Sequence, residues 1–192
     1  LFPTYYVLAE LYLARDDARE AVELYRRVIR LCPDDQFVTR AGRMAIQVAP
    51  AADAVADLER DLSTAAVAAP GRVVLRRLLV DLYAATCRPL IHIARHGTPA
   101  AATTARTRLA GLGVRALKPL LDALSDPDLA RQRISLEILG YLGNPNATAG
   151  LLGLASHPEQ VAEVVEAHGD ALLLAHLPGQ RQRLLVAGER GV

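Results

Sequence analysis

Apolar side chains recur every three or four positions along most of this chain, and proline or aspartate interrupts that pattern at intervals. Such spacing puts the apolar residues on one face of an α-helix. Residues 1–35 therefore predict a helical hairpin, which ends at Pro33 because proline cannot continue a helix. The apolar positions of this hairpin include Tyr5, Leu8, Ala9, Tyr12, Ala21, Tyr25 and Val28.

The next segment repeats the arrangement less regularly. Residues 36–70 predict helices over Gln36–Val48 and Ala51–Ala66 around Pro50, and Pro70 with Gly71 closes the unit. From Arg72 a long amphipathic helix begins.

The first hairpin resembles the tetratricopeptide repeat over residues 3–35, with a degenerate second copy that reaches residue 70. In that family a bulky residue, Leu, a small residue and Tyr mark the first helix, and Tyr5, Leu8, Ala9 and Tyr12 match that order. Asp16 replaces the usual glycine of the turn, where aspartate can also adopt a left-handed backbone.

A second period, of about 30 residues, follows. Pro89 matches Pro119, Leu109 matches Leu139, and Gly113 matches Gly143. The segments around these positions resemble HEAT-like repeats, over about residues 86–169. The resemblance implies a proline within each first helix, an Asp-Pro turn whose carboxylates cap the second helix, and a Leu-Gly end to that helix. It places these features on the following residues: Asp126 and Asp128 as caps, Asp126 with Arg131 as the family's pair, Gly111-Leu112-Gly113 as a helix terminator and a third unit at Asn146–Gly169. Beyond the repeats, Asp170–Leu184 predicts a last helix.

Together these patterns predict an all-α fold, a right-handed α-solenoid of antiparallel hairpins. Residues 1–70 would form tetratricopeptide-like hairpins and residues 71–192 HEAT-like repeats in one continuous array. The change of repeat type near residues 71–98 should change the curvature.

Charge is unevenly distributed, although the net charge is only +1. Residues 71–118 hold nine basic side chains and one acid, a local net of +8, between segments of −3 and −4. The basic residues are Arg72, Arg76, Arg77, Arg88, Arg95, Arg106, Arg108, Arg115 and Lys118. This basic middle could bind an anion or nucleic acid. The alternative is that the arginines solvate the outer surface or pair with neighbouring acidic helices, and Tyr83 is the only aromatic residue there for stacking on bases.

No catalytic or cofactor motif is present, so the sequence predicts a non-catalytic protein without cofactor or metal. His92 and His96 share a helix face and could chelate zinc, but no Glu accompanies them as in a metalloprotease helix. The His-Glu dipeptides of HEAT-like hydroxylases are absent, since Pro158 separates His157 from Glu159.

The tetratricopeptide resemblance implies a peptide-binding groove on the first helices, faced by Tyr6, Glu10, Leu13 and Ala14. A carboxylate clamp for chaperone C-termini would need Lys and Asn in place of Tyr6 and Glu10. Alternatively, these residues pack against a preceding repeat.

The repeats and the lack of catalytic motifs predict a protein-interaction scaffold or adaptor. The start at Leu1 suggests a segment of a larger protein, and the usage rich in Arg and Ala suggests a bacterial one. Cys32 and Cys87 lie far apart without a disulfide or zinc spacing, which favours a reducing, cytoplasmic location. No charge-free apolar run predicts a membrane span, and exposed solenoid ends could drive self-association.

Overall fold

The structure is a computed structural model, and it describes residues 2–142. This range holds seven α-helices and no strand. The helices are α1 (Phe2–Leu13), α2 (Ala18–Leu31), α3 (Asp35–Val48), α4 (Val55–Ala68), α5 (Val73–His96), α6 (Pro99–Ala123) and α7 (Leu129–Leu142). The predicted fold class, an all-α solenoid of helical hairpins, is confirmed. The predictions for Gly143, for the third unit at Asn146–Gly169 and for the last helix at Asp170–Leu184 concern residues outside the described range.

The described residues form two compact units, which divide between residues 93 and 94. The division lies within α5, whereas the predicted domain boundary lies between residues 70 and 71. That predicted boundary concerns the kind of repeat and stays a prediction.

In the first unit, α2 forms the centre of the packing and contacts α1, α3 and α4. Its side chains Val22, Tyr25, Val28 and Ile29 are almost completely buried, as their helical spacing requires. Ala9 of α1 is fully buried as well, because a methyl side chain lets the two helices approach closely.

The turn of the first hairpin recurs in the second. Asp16 (φ 63°) and Asp53 (φ 52°) are the non-glycine residues with positive φ in the described chain. After each, the next N–H donates back to a helix carbonyl at 2.9 Å, from Asp17 to Tyr12 and from Ala54 to Ala49. The left-handed conformation predicted for Asp16 is therefore confirmed, and both hairpins share one turn geometry.

This turn also corrects one predicted boundary. The second helix of the second hairpin was expected from Ala51, but residues 50–54 form the turn and α4 begins at Val55. The side chain of Asp17 caps α2, whereas Ala54 offers no side-chain acceptor to α4.

Helix α5 packs on α3 and α4 within the first unit through three specific contacts. A Cβ on Gly42 would overlap the side chain of Leu78, so glycine is what allows α3 and α5 to meet here. The buried hydroxyl of Tyr83 donates to Glu59 at 3.0 Å. Arg72, just before α5, forms a salt bridge with Asp35 at 2.6 Å.

The structure of the second unit shows that one predicted helix end was wrong. Gly111-Leu112-Gly113 was expected to end a helix, but these residues lie inside α6, which runs without a break over Pro99–Ala123. A Cβ on Gly113 would meet Leu142 at 3.2 Å, so this glycine permits close packing of α7 instead of stopping α6. Pro89 and Pro119 lie within helices, as expected.

The predicted Asp-Pro-Asp capping at the start of α7 is confirmed. Asp128 accepts from the N–H of Ala130 at 3.0 Å and from the guanidinium of Arg131 at 2.6 Å. Asp126 accepts from the N–H of Asp128 at 2.9 Å. The resemblance of this region to HEAT-like repeats stays a prediction.

Candidate functional site

Of the predicted groove residues, Tyr6, Glu10 and Leu13 lie on α1 of the first unit, and Ala14 lies in the turn that follows it. Glu10 and Ala14 are exposed, whereas Tyr6 and Leu13 are half-buried. The ring of Tyr6 meets the ring of Tyr25 edge to face, with centroids 5.6 Å apart and planes at 62°. Aromatic pairs prefer this arrangement, so Tyr25 of α2 holds Tyr6 in place.

The environment of the two phenols keeps them neutral. Burial raises the pKa of Tyr25 to about 12, with smaller contributions from Tyr6 and Glu10. Burial and the Glu10 carboxylate also raise the pKa of Tyr6, and Arg40 of α3 opposes that rise. The Arg40 charge therefore acts on the same space as Tyr6, although the two residues come from different hairpins.

Helix α3 presents a polar stripe that sequence reasoning missed. Gln36, Arg40, Arg43 and Gln47 are all exposed, and their spacing puts them on one side of the helix. We call these four residues the α3 stripe. The opposite side of α3 carries the buried residues Val38, Ala41, Ala45 and Ile46. The spacing of these four residues in the sequence already indicates a shared polar face. The predicted basic middle covered residues 71–118 and therefore did not include Arg40 and Arg43.

Arg26 and Arg30 of α2 and Arg60 of α4 are paired with carboxylates. Arg26 binds Asp61 at 2.6 Å and Glu23 at 2.8 Å, and Arg30 binds Glu23 and Asp61 at 3.2 and 3.3 Å. Arg60 binds Asp57 at 3.1 Å. By contrast, Arg40 and Arg43 form no salt bridge within residues 2–142.

A cleft of about 370 Å³ lies beside this ion-pair network, lined by α2, the α3–α4 turn and the start of α4. Its acids Glu20, Glu23, Asp53 and Asp57 outnumber its two arginines. Since Glu23 and Asp57 already bind Arg26 and Arg60, the cleft is the edge of a structural network.

The structure gives several members of the basic middle a partner inside their own unit. In the first unit Arg72 pairs with Asp35, and Arg76, Arg88 and the half-buried Arg77 lie on α5. In the second unit the guanidinium of Arg95 lies 5.6 Å from the Tyr141 ring centroid, and Arg106 donates to the carbonyl of Ala94 at 3.3 Å. The ammonium group of Lys118 lies 3.6 Å from the carboxylate of Asp122. Arg108 and Arg115 are exposed. The salt bridge of Arg72 with Asp35 of α3 is a pairing with an acid of a neighbouring helix, which the alternative interpretation expected, whereas Lys118 and Asp122 lie on the same helix.

Residues 2–142 contain no group of three or more His, Cys, Asp or Glu side chains arranged to hold a metal ion. His92 and His96 are both exposed on α5. Cys32 and Cys87 are free, buried thiols, and burial raises the pKa of Cys87 to about 11, which suppresses its thiolate. His157, Glu159 and the other histidines beyond residue 142 lie outside this range.

Among the described helices, none is both long and apolar enough to cross a membrane.

Val7 and Leu11 of α1 are 58% and 55% exposed, on the side away from buried Ala9. Association through this end of the array stays a prediction.

Comparison with known proteins agrees with the first hairpin. The family model described as tetratricopeptide repeat matches residues 2–44. The chain matches no curated protein and no solved structure. Residues 2–44, which include α1, α2 and most of α3, are thus a tetratricopeptide-like repeat, a kind of repeat that generally mediates protein–protein interaction.

Proposed function

We propose that this chain is a non-catalytic scaffold or adaptor segment that binds a protein partner along the exposed side of α1 and α3. The proposal rests on the exposed polar side of α3, which carries Arg40, and on the effect of the Arg40 charge on Tyr6 of α1. A repeat protein builds its binding surface in this way, because each hairpin contributes one helix to a continuous face.

The chemistry of this face suits recognition of an extended protein segment. Tyr6 is a rigid aromatic platform held by Tyr25. The α3 stripe adds two guanidinium groups and two amides, which can donate to backbone carbonyls or carboxylates. Glu10 adds a negative charge on the α1 side, so the face distinguishes the direction of a charged partner.

Position-specific photo-crosslinking tests this proposal. A photoreactive amino acid replaces Gln47 on the α3 stripe in one variant and Arg60 on α4 in a control, and both are exposed positions. In cells that produce the protein, we expect a defined set of proteins to crosslink from position 47 and not from position 60. Equal crosslinking from both positions, or none from position 47, would contradict a binding face on α1 and α3.

Anion or nucleic-acid binding by the basic middle remains the alternative. Arg76 and Arg108 are exposed members of that set and could contact phosphates. The salt bridge of Arg72 with Asp35 and that of Lys118 with Asp122 reduce the positive charge that the segment offers. We therefore place protein binding first. The buried free thiols are compatible with the cytoplasmic location that we propose.

A further inference from the structure

The α3 stripe carries two arginines that form no salt bridge with the described residues. Arg40 and Arg43 are three positions apart on α3, so their side chains leave the helix as neighbours, and both are exposed. Within residues 2–142 neither forms a salt bridge, whereas Arg26, Arg30 and Arg72 of the same unit each bind a carboxylate.

Like charges one helical turn apart repel each other, and a bound carboxylate removes that repulsion. The neighbours of the pair add hydrogen-bonding groups, since Gln36 and Gln47 stand on either side of it. Amide side chains of this kind can pair with the N–H and C=O groups of an extended backbone. The two guanidinium groups of the α3 stripe can therefore bind acidic side chains. Its two amides can bind the backbone of the segment that carries those side chains.

We propose that the α3 stripe binds an extended segment of the partner protein that carries two Asp or Glu side chains at positions i and i+2. Side chains two positions apart in an extended chain lie on one side, about 7 Å apart. Neighbouring side chains on a helix start about 5–6 Å apart, so one carboxylate can meet each guanidinium. This inference rests on the proposed function and adds the chemistry of the partner.

The α1 side sets the placement of that segment. Glu10 is exposed and its charge acts on Tyr6, so a further acidic side chain would be repelled there. The acidic pair lies over α3, and the rest of the segment passes Tyr6. The site differs from a carboxylate clamp, since Tyr6 and Glu10 occupy the positions that would need Lys and Asn.

Selection from a random library of phage-displayed nonapeptides on the immobilised full chain tests the inference. The test variant carries Arg40→Gln and Arg43→Gln. The matched control carries Arg27→Gln and Arg60→Gln, which remove the same charge from exposed positions on α2 and α4. The most enriched peptide is then synthesised with a fluorescent label, and its affinity is measured by anisotropy for all three proteins.

We expect Asp or Glu at two positions separated by one residue among the enriched peptides. Affinity should fall at least about tenfold for the test variant, because charge-assisted hydrogen bonds are lost, and less than about twofold for the control. Replacing both acidic residues of the peptide by their amides should cause the same loss.

The opposing outcomes separate the inference from the proposed function. Enriched peptides without the acidic pair, equal affinity for the test variant, or competition by polyphosphate as strong as by the peptide would overturn the inference alone. Loss of binding in Tyr6→Ala would then still support a protein-binding face. If the library yields no enriched peptide at all, both ideas fail.

Discussion

Tyr25 gives the most direct test of the packing of the first repeat. Its ring is fully buried between α1 and α2, and its hydroxyl has no hydrogen-bond partner in the described residues. An unpaired buried polar group costs about 1–3 kcal/mol in desolvation. Tyr25→Phe removes that group and keeps the ring, so we expect the free energy of unfolding at pH 7 to rise by about 1 kcal/mol.

The same residue predicts a specific alkaline effect. The folded pKa of Tyr25 is raised to about 12, above the value of about 10 expected in the unfolded chain. The folded state therefore binds the proton more tightly, and the stabilisation present below pH 10 is lost as pH rises toward 12. At pH 11 this linkage lowers the free energy of unfolding by about 1.4 kcal/mol in the wild type and not in Tyr25→Phe. The advantage of the variant should thus grow from about 1 to about 2.4 kcal/mol between pH 7 and pH 11.

Thermal unfolding followed by circular dichroism measures both effects. For a chain of this length, about 1 kcal/mol corresponds to about 2–4 °C in Tm. Tyr83→Phe is the matched control, because the Tyr83 hydroxyl donates to the buried Glu59 at 3.0 Å. Removing it should lower stability by about 1.5–3 kcal/mol. Destabilisation by Tyr25→Phe at pH 7, or an advantage that stays constant up to pH 11, would refute the reasoning.

Three further changes test other parts of the structure. Asp16→Gly should leave Tm almost unchanged, whereas Asp16→Val should destabilise the protein by about 1–2 kcal/mol, because a β-branched residue resists the left-handed backbone found there (φ 63°). Equal Tm values for the two variants would contradict the importance of positive φ at this turn. Asp61→Ala leaves Arg26, whose side chain is only 14% exposed, without its closest partner, so urea unfolding should show a loss of about 1–2 kcal/mol that high salt does not abolish. If the basic middle binds nucleic acid, Arg76→Gln with Arg108→Gln should reduce the salt dependence of a DNA gel shift by about two charges; a wild-type protein that causes no shift at low salt would remove that alternative.

Local rules explain the successful predictions. Apolar spacing located the first hairpins, and the turn at Asp16 followed from the ability of aspartate to adopt positive φ. Capping by Asp128 followed from the Asp-Pro-Asp sequence at the predicted turn. Each of these depends on residues within a few positions of one another, so the chain alone contains the necessary information.

Other features depended on distant neighbours. Gly113 was interpreted as the end of a helix, because glycine often terminates helices, but it lies within α6 where Leu142 of α7 approaches. Gly42 was not singled out, although its missing side chain makes room for Leu78 of α5. The sequence does not distinguish a glycine that ends a helix from a glycine that allows two helices to pack closely.

At the candidate site, too, some features follow from the local sequence and others depend on distant residues. The sequence by itself determined the helical class, the turn of the first repeat and the place of Tyr6 on α1. The tertiary structure decided which arginines carry a counter-charge: Arg26 and Arg72 meet carboxylates 35 and 37 positions away in the chain, while Arg40 and Arg43 meet none in the described residues. Periodicity identifies the face of a helix on which a side chain lies, but only the packing of one helix on another brings a distant charge to it.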